Sequence, residues 1–81
     1  MSIRFPVYRK LLNERSYYLV MDSNSFIEFQ FIGTKIIRSE FISKNYYDRL
    51  LVSDLINKRY PYIQSSKEEF QKKNLFKKKE P

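Results

Sequence analysis

The stretch FIEFQFIGTKIIRSEF, residues 26–41, decides how this chain folds. Up to Ile32 its residues alternate. Ile27, Phe29 and Phe31 fall on one side, Glu28 and Gln30 on the other, the period of two of a half-buried strand. Gly33 is the only glycine of the chain and Thr34 follows it, a pair that suggests a two-residue hairpin loop with glycine supplying a positive φ. The residues beyond the loop disagree. A two-residue loop sets Phe31 opposite Ile36, but sets Phe29 and Ile27 opposite Arg38 and Glu40. A three-residue loop, or a bulge, aligns Ile37, Ser39 and Phe41 with the apolar face instead. A slip of one residue turns every side chain over, so the two cues exclude each other. Burial usually outweighs turn preference, and the odd loop is the expectation. Glu28 and Glu40 then read as polar-face residues of adjoining strands.

Working upstream, Tyr17–Met21 is a strand apolar on both faces, closed by the turn-rich DSNS at 22–25. Ile3, Phe5 and Val7 alternate with Arg4, Pro6 and Tyr8. Proline cannot donate to a ladder, so this first strand is expected at a sheet edge. By the same alternation, one of Tyr17 and Tyr18 is expected to be exposed. Downstream, Asn45 reads as a helix cap with Asp48 near the positive end of the dipole. Tyr47, Leu51 and Leu55 form a stripe flanked by Val52, Asp54 and Lys58 have i,i+4 spacing, and Pro61 ends the run. Ser66 and Glu69 have capping-box spacing, and Phe70 is the anchor of a second, short helix. The expected fold class is α+β: a small antiparallel meander of three or four strands packed with one helix. It forms a single domain over residues 1–63, followed by a C-terminal helix or basic tail over 64–81.

Eighty-one residues allow one modest core, and 42% apolar content with seven Phe and seven Tyr argues against disorder. The chain has no cysteine, which excludes disulfides and thiol nucleophiles. It has no histidine, which removes the usual proton carrier near neutral pH and most zinc and haem sites. One glycine cannot build a phosphate-cradling loop. Asp22, Glu28, Glu40, Asp48 and Asp54 match no metal or glycosidase spacing. Neither an enzyme nor a cofactor nor a small-molecule substrate is expected. The longest apolar run, Tyr17–Met21, falls far short of the ~20 residues that span a bilayer. Residues 1–12 lack the continuous apolar segment of a secretory signal. The expectation is a cytoplasmic protein without membrane insertion.

The net charge is +7. Arg4, Arg9, Lys10 and Arg15 stand against Glu14 in residues 1–15, and six lysines stand against three acids in residues 64–81, leaving the middle nearly neutral. Lys, Ile, Asn, Phe and Tyr all have A/T-rich codons, so genome composition accounts for part of the lysine. Tyrosines occur at 17–18, 46–47 and 60–62, and cations near aromatics suit single-stranded nucleic acid, where bases stack and phosphates pair. The expected partner is RNA or a ribonucleoprotein. It would be held by Arg4, Arg9, Lys10, Arg15, Tyr18, Lys58, Arg59, Tyr60 and Tyr62, and by Lys72, Lys73, Lys77, Lys78 and Lys79 of the tail. Five tail lysines on phosphates give a salt slope of about −3.5 on a single strand, attraction without sequence reading. Two plainer readings stay open: tyrosine filling half-buried sheet positions, and lysine as a solubilising tail.

The order FPVYRK, SFIEFQFIG and DRLLVSDLI resembles small uncharacterised proteins of Bacteroidetes-type genomes over the first two thirds of the chain. The resemblance implies a bacterial, intracellular setting and carries over no functional residue. Small A/T-biased proteins of phages and mobile elements often block a host enzyme. By that analogy the alternative is an anti-CRISPR-like inhibitor or adaptor of a host nucleic-acid-handling protein, with its hot spot on a tyrosine-rich face.

Overall fold

The strand that organises the fold is β2 (Ser16–Asp22), in which Ser16 to Val20 are all buried. A strand apolar on both faces demands cover on both faces, and it receives it. In the computed structural model, which describes residues 4–75, β2 lies at the centre of one antiparallel five-stranded sheet. The other strands are β1 (Val7–Leu11), β3 (Ser25–Ile32), β4 (Lys35–Ile42) and β5 (Tyr62–Gln64), in the order β4-β3-β2-β1-β5. Helix α1 (Tyr46–Ile56) precedes β5 and α2 (Lys67–Lys72) follows it. The fold is therefore α+β, with one strand more than the three or four expected. The extra strand, β5, is a three-residue segment too short for any periodicity to reveal.

Each face of the sheet carries its own cluster. On one, Tyr18, Val20 and Phe26 pack with Val52 and Leu55 of α1. On the other, Tyr17, Leu19 and Phe29 pack with Phe70 of α2 and with Leu75. Tyr17 and Tyr18 are both buried, against the expectation that one would be exposed, because there is a helix on each side. Residues 64–75, set apart from the body in the sequence reading, supply Phe70, which is wholly inaccessible to solvent and meets the rings of Tyr8, Tyr17 and Phe29 edge-on at 5.0, 5.5 and 5.9 Å. Such edge-to-face contacts add about 0.5–1.5 kcal/mol each to the burial itself.

The Gly33 hairpin corrects the sequence reading. Phe31 pairs with Ile36, Phe29 with Arg38 and Ile27 with Glu40, so the loop is the two-residue Gly33–Thr34. Gly33 takes φ +60°, as a tight hairpin with glycine first requires. The burial argument fails because β4 is an edge strand: Ile37 stays exposed, and Phe41, though its ring stacks on that of Phe26 at 4.8 Å on the α1 side of the sheet, is covered on that side alone. Glu28 and Glu40 consequently lie on opposite faces. The first strand is corrected as well: β1 sits between β2 and β5, and Pro6 precedes it, so no ladder bond is lost.

Local signals fare better. Asn45 Oδ1 accepts the Asp48 N–H at 3.0 Å and caps α1, and Ser66 Oγ accepts the Glu69 N–H at 3.1 Å and caps α2. Asp22 Oδ1 accepts from the Asn24 N–H and the Ser25 hydroxyl, closing the β2–β3 turn. Along α1 the stripe is rotated from the one expected. Val52 and Leu55 are buried, and one turn before Val52 comes Asp48, so Tyr47 is left 78% exposed. The Asp54–Lys58 pair does not form. Lys58 adopts φ +55° beyond the helix end, and Asp54 instead faces Arg59 at 3.8 Å.

Candidate nucleic-acid interface

The β1–β2 turn is built by short-range bonds. The Glu14 N–H returns to the Leu11 carbonyl at 2.8 Å, and Asn13 Oδ1 accepts the Arg15 N–H at 2.9 Å. The Leu12 N–H then donates to the Pro61 carbonyl at 2.9 Å, fastening this turn to the Tyr60–Pro61 corner. Between them lies an open groove of about 250 Å³ lined by Leu11, Leu12, Asn13, Tyr60 and Pro61. Tyr60 is 83% exposed, with Lys58 and Arg59 beside it in the same turn and both in solvent. A phenol ring standing in solvent next to cations has the elements of a base-stacking platform.

The C-terminal cations approach the same turn from the other face. The Arg15 carbonyl accepts the Phe31 N–H at 2.8 Å, and Lys73 Nζ lies 5.9 Å from the Phe31 ring centroid, so Arg15 and Lys73 border one residue. Lys72 is exposed on α2. One residue from each basic cluster, Arg15 by its backbone and Lys73 by its side chain, is thus set against Phe31.

Several of the expected contact residues are committed elsewhere. Arg9 donates from Nε to the Leu55 carbonyl at 2.7 Å, from Nη2 to that of Ile56 at 3.0 Å and from Nη1 to that of Tyr8 at 2.9 Å. Helix α1 has no basic residue in its last turn, and Arg9 supplies that cation from β1. Partial burial lowers the guanidinium's pKa. Lys10 Nζ is shared between Glu14 at 2.7 Å and Glu69 at 2.6 Å. Tyr18 is in the core and meets the Tyr62 ring edge-on at 5.4 Å. Burial, with Glu28 nearby, raises its phenol's pKa, and burial with Asp54 and Glu28 does the same to Tyr62. These four are structural groups and not a free surface. Arg4, Arg15, Lys58, Arg59, Tyr60 and Lys72 are exposed and Lys73 is half-buried, while Lys77, Lys78 and Lys79 lie outside the described residues. Tyr46 and Tyr47, not among the expected contact residues, are both exposed on the first turn of α1. Their adjacency was visible, but nothing in the sequence said that the sheet stops short of them.

Glu69 ties the interface together. Its Oε2 accepts from Lys10 and, at 3.4 Å, from the Tyr17 hydroxyl, and its Oε1 accepts from Ser65 Oγ at 2.6 Å. Burial alone would raise this carboxyl, but the Lys10 and Ser65 bonds outweigh it and hold the pKa below its usual value. Burial also works against the charge on Lys10, and the bonds to Glu14 and Glu69 more than offset it, so that pKa is raised. A depressed carboxyl stabilises the fold above its unfolded pKa of 4.5 and loses that contribution as pH falls through the lower, folded value. Glu69→Gln should therefore cost about 1–3 kcal/mol at neutral pH. Urea melts of the variant should also depend less on pH than the parent's below about pH 4.5. Equal acid sensitivity in the two proteins would mean that Glu69 is not the titrating group.

Among the described residues no three His, Cys, Asp or Glu converge to hold a metal, and no helix is long and apolar enough to cross a membrane. No family profile, curated protein or solved structure matches the chain.

Proposed function

We propose that this protein is a non-catalytic binding module that docks on single-stranded RNA, free or within a ribonucleoprotein. Bases stack on Tyr60 in the groove beside Pro61, and Arg15, Lys58, Arg59 and the lysines of α2 and the tail meet phosphates. What supports this reading is the fastening of the β1–β2 turn to the Tyr60 corner through the Leu12–Pro61 bond, which sets the turn that carries the exposed Arg15 beside the exposed Tyr60 ring with Lys58 and Arg59 next to it in the chain. Tyr60→Ala should weaken binding of a short unstructured RNA by about 1–3 kcal/mol. Changing Arg15, Lys58 and Arg59 to Gln should flatten the salt slope by about 0.7 each. The same change at Lys72, Lys73, Lys77, Lys78 and Lys79 should do so independently. Affinity and salt slope unchanged in all of these variants would overturn the proposal.

A second reading has one observation behind it. Tyr46 and Tyr47 stand in solvent with their rings 5.9 Å apart, a surface suited to a protein partner as well as to bases. Under this reading the protein is an inhibitor or adaptor of a host nucleic-acid-handling protein. Its complex should survive nuclease and about 0.5 M salt, which screens exposed charges, and should be lost with Tyr46→Ala and Tyr47→Ala.

A further inference from the structure

We propose that β4 is a self-complementary edge and that two copies of the chain pair there, antiparallel, to form one continuous sheet. The two ends of the sheet differ. The β5 edge is three residues long and follows a proline, features that discourage pairing. The β4 edge is eight residues long and pairs with β3 in unbroken register from Ser25–Ile42 to Ile32–Lys35. It has no proline and no bulge, and among the described residues β3 is its one neighbour in the sheet. Ile36, Ile37, Phe41 and Ile42 along it are all exposed, Ile42 by 68%. A long, unbroken, apolar edge is a template for another strand.

Backbone geometry and charge together select the occupant and the register. In an antiparallel ladder, hydrogen-bonded and non-hydrogen-bonded pairs alternate. The Ser43 N–H donates to the Asn24 carbonyl at 2.7 Å, so the odd-numbered positions bond inward to β3. The backbone groups of Ile36, Arg38, Glu40 and Ile42 face outward. Two copies can share these groups only when a two-fold axis passes through a residue. An axis at Arg38 sets arginine against arginine, and one at Glu40 sets glutamate against glutamate. With the axis at Ser39, every pair agrees: Arg38 faces Glu40 of the second copy, Ile37 faces Phe41, and Ile36 faces Ile42. Arg38 and Glu40 already pair within one chain at 2.6 Å, so in the dimer four charges alternate in sign around the axis. The strand matches itself in both charge and apolar contact, which commits the edge to a second copy. The Tyr60 groove lies at the far side of the sheet and stays open in both copies.

The test is sedimentation equilibrium of nuclease-treated protein over a concentration series. The parent should be a concentration-dependent dimer. Arg38→Glu and Glu40→Arg should each weaken it about tenfold, since both symmetric pairs become repulsive. The combined charge swap should restore dimerisation. Matching circular dichroism across these variants checks that each is folded. A second probe does not depend on affinity. The axis sets the two Ser39 residues opposite each other as a non-hydrogen-bonded pair, with Cα atoms about 4.5 Å apart, inside the range of about 4.4–6.8 Å that a disulfide spans. The chain has no native cysteine, so Ser39→Cys under mild oxidation should give a covalent dimer, and Thr34→Cys, off the axis, should not. A parent monomeric at every concentration overturns the proposal. So does a dimer indifferent to charge reversal, or one in which Ser39→Cys cross-links no better than Thr34→Cys.

Discussion

Phe70→Ala is expected to lower stability by about 3–5 kcal/mol, the usual cost of truncating a buried aromatic to alanine. A domain this small has on the order of 5 kcal/mol in total, so the variant should be largely unfolded at room temperature. Phe70 is fully buried, touches three aromatic rings and is the main side chain that fastens α2 to its face of the sheet. Without it Tyr17, Leu19 and Phe29 lose their cover, and an uncovered face of a small sheet cannot offset the entropy of ordering it. Thermal melting monitored by circular dichroism checks this. Lys72→Ala, on the exposed side of the same helix, should melt within a few degrees of the parent. A Phe70→Ala melting point equally close would show that the sheet stands without α2.

The second large effect is at Arg9. Arg9→Met keeps the aliphatic stem and removes three donors, two of them aimed at the last carbonyls of α1. Charge-assisted bonds at a partly buried helix end are worth about 1.5–3 kcal/mol, to which the lost dipole interaction adds about 0.3–1 kcal/mol. Urea melting should show a fall of that order. Under the proposed function, RNA affinity per folded molecule, with its salt slope, should not change. Arg15→Gln should do the reverse, leaving the melt intact and flattening the salt dependence. The contrast separates cations that hold the fold from cations that face a ligand, a distinction that net charge cannot make. Weaker RNA binding by folded Arg9→Met would return Arg9 to the interface.

Much of the local structure was legible in advance because its causes are local. The Asn45 cap and the DSNS turn each depend on residues two or three positions apart and form as read, while Ser66 caps α2 but Glu69 turns its carboxylate to Lys10 and Ser65 instead of closing a capping box. The burial of β2 on both faces was written in five consecutive apolar residues. Its consequence, a helix on each side, depends on segments far along the chain, and so the alternation assigned one of Tyr17 and Tyr18 to solvent although both are buried. The candidate site was less legible. Sequence marked Arg9, Lys10, Tyr18 and Tyr62 as available because each is basic or aromatic. Whether such a residue is free depends on acceptors dozens of positions away: the Leu55 and Ile56 carbonyls for Arg9, and Glu69 for Lys10.

By itself the sequence determined what this protein lacks, the positions of most of its elements and the sign of its charge. These follow from residue types and from spacings within one turn or strand. Only the tertiary structure decided the register at Gly33, the fate of each cation and the identity of the free edge. The reason is the same in all three. A periodic pattern tells which residues want burial, but the order of strands in the sheet decides where burial exists. Ile36, Ile37 and Phe41 are as apolar as the core residues, yet β4 is outermost and α1 borders only its Phe41–Ile42 end, so all three stay partly in solvent. There the short-range demand of Gly33–Thr34 prevails over the long-range demand for burial, and an apolar edge is left to be met by something outside the chain.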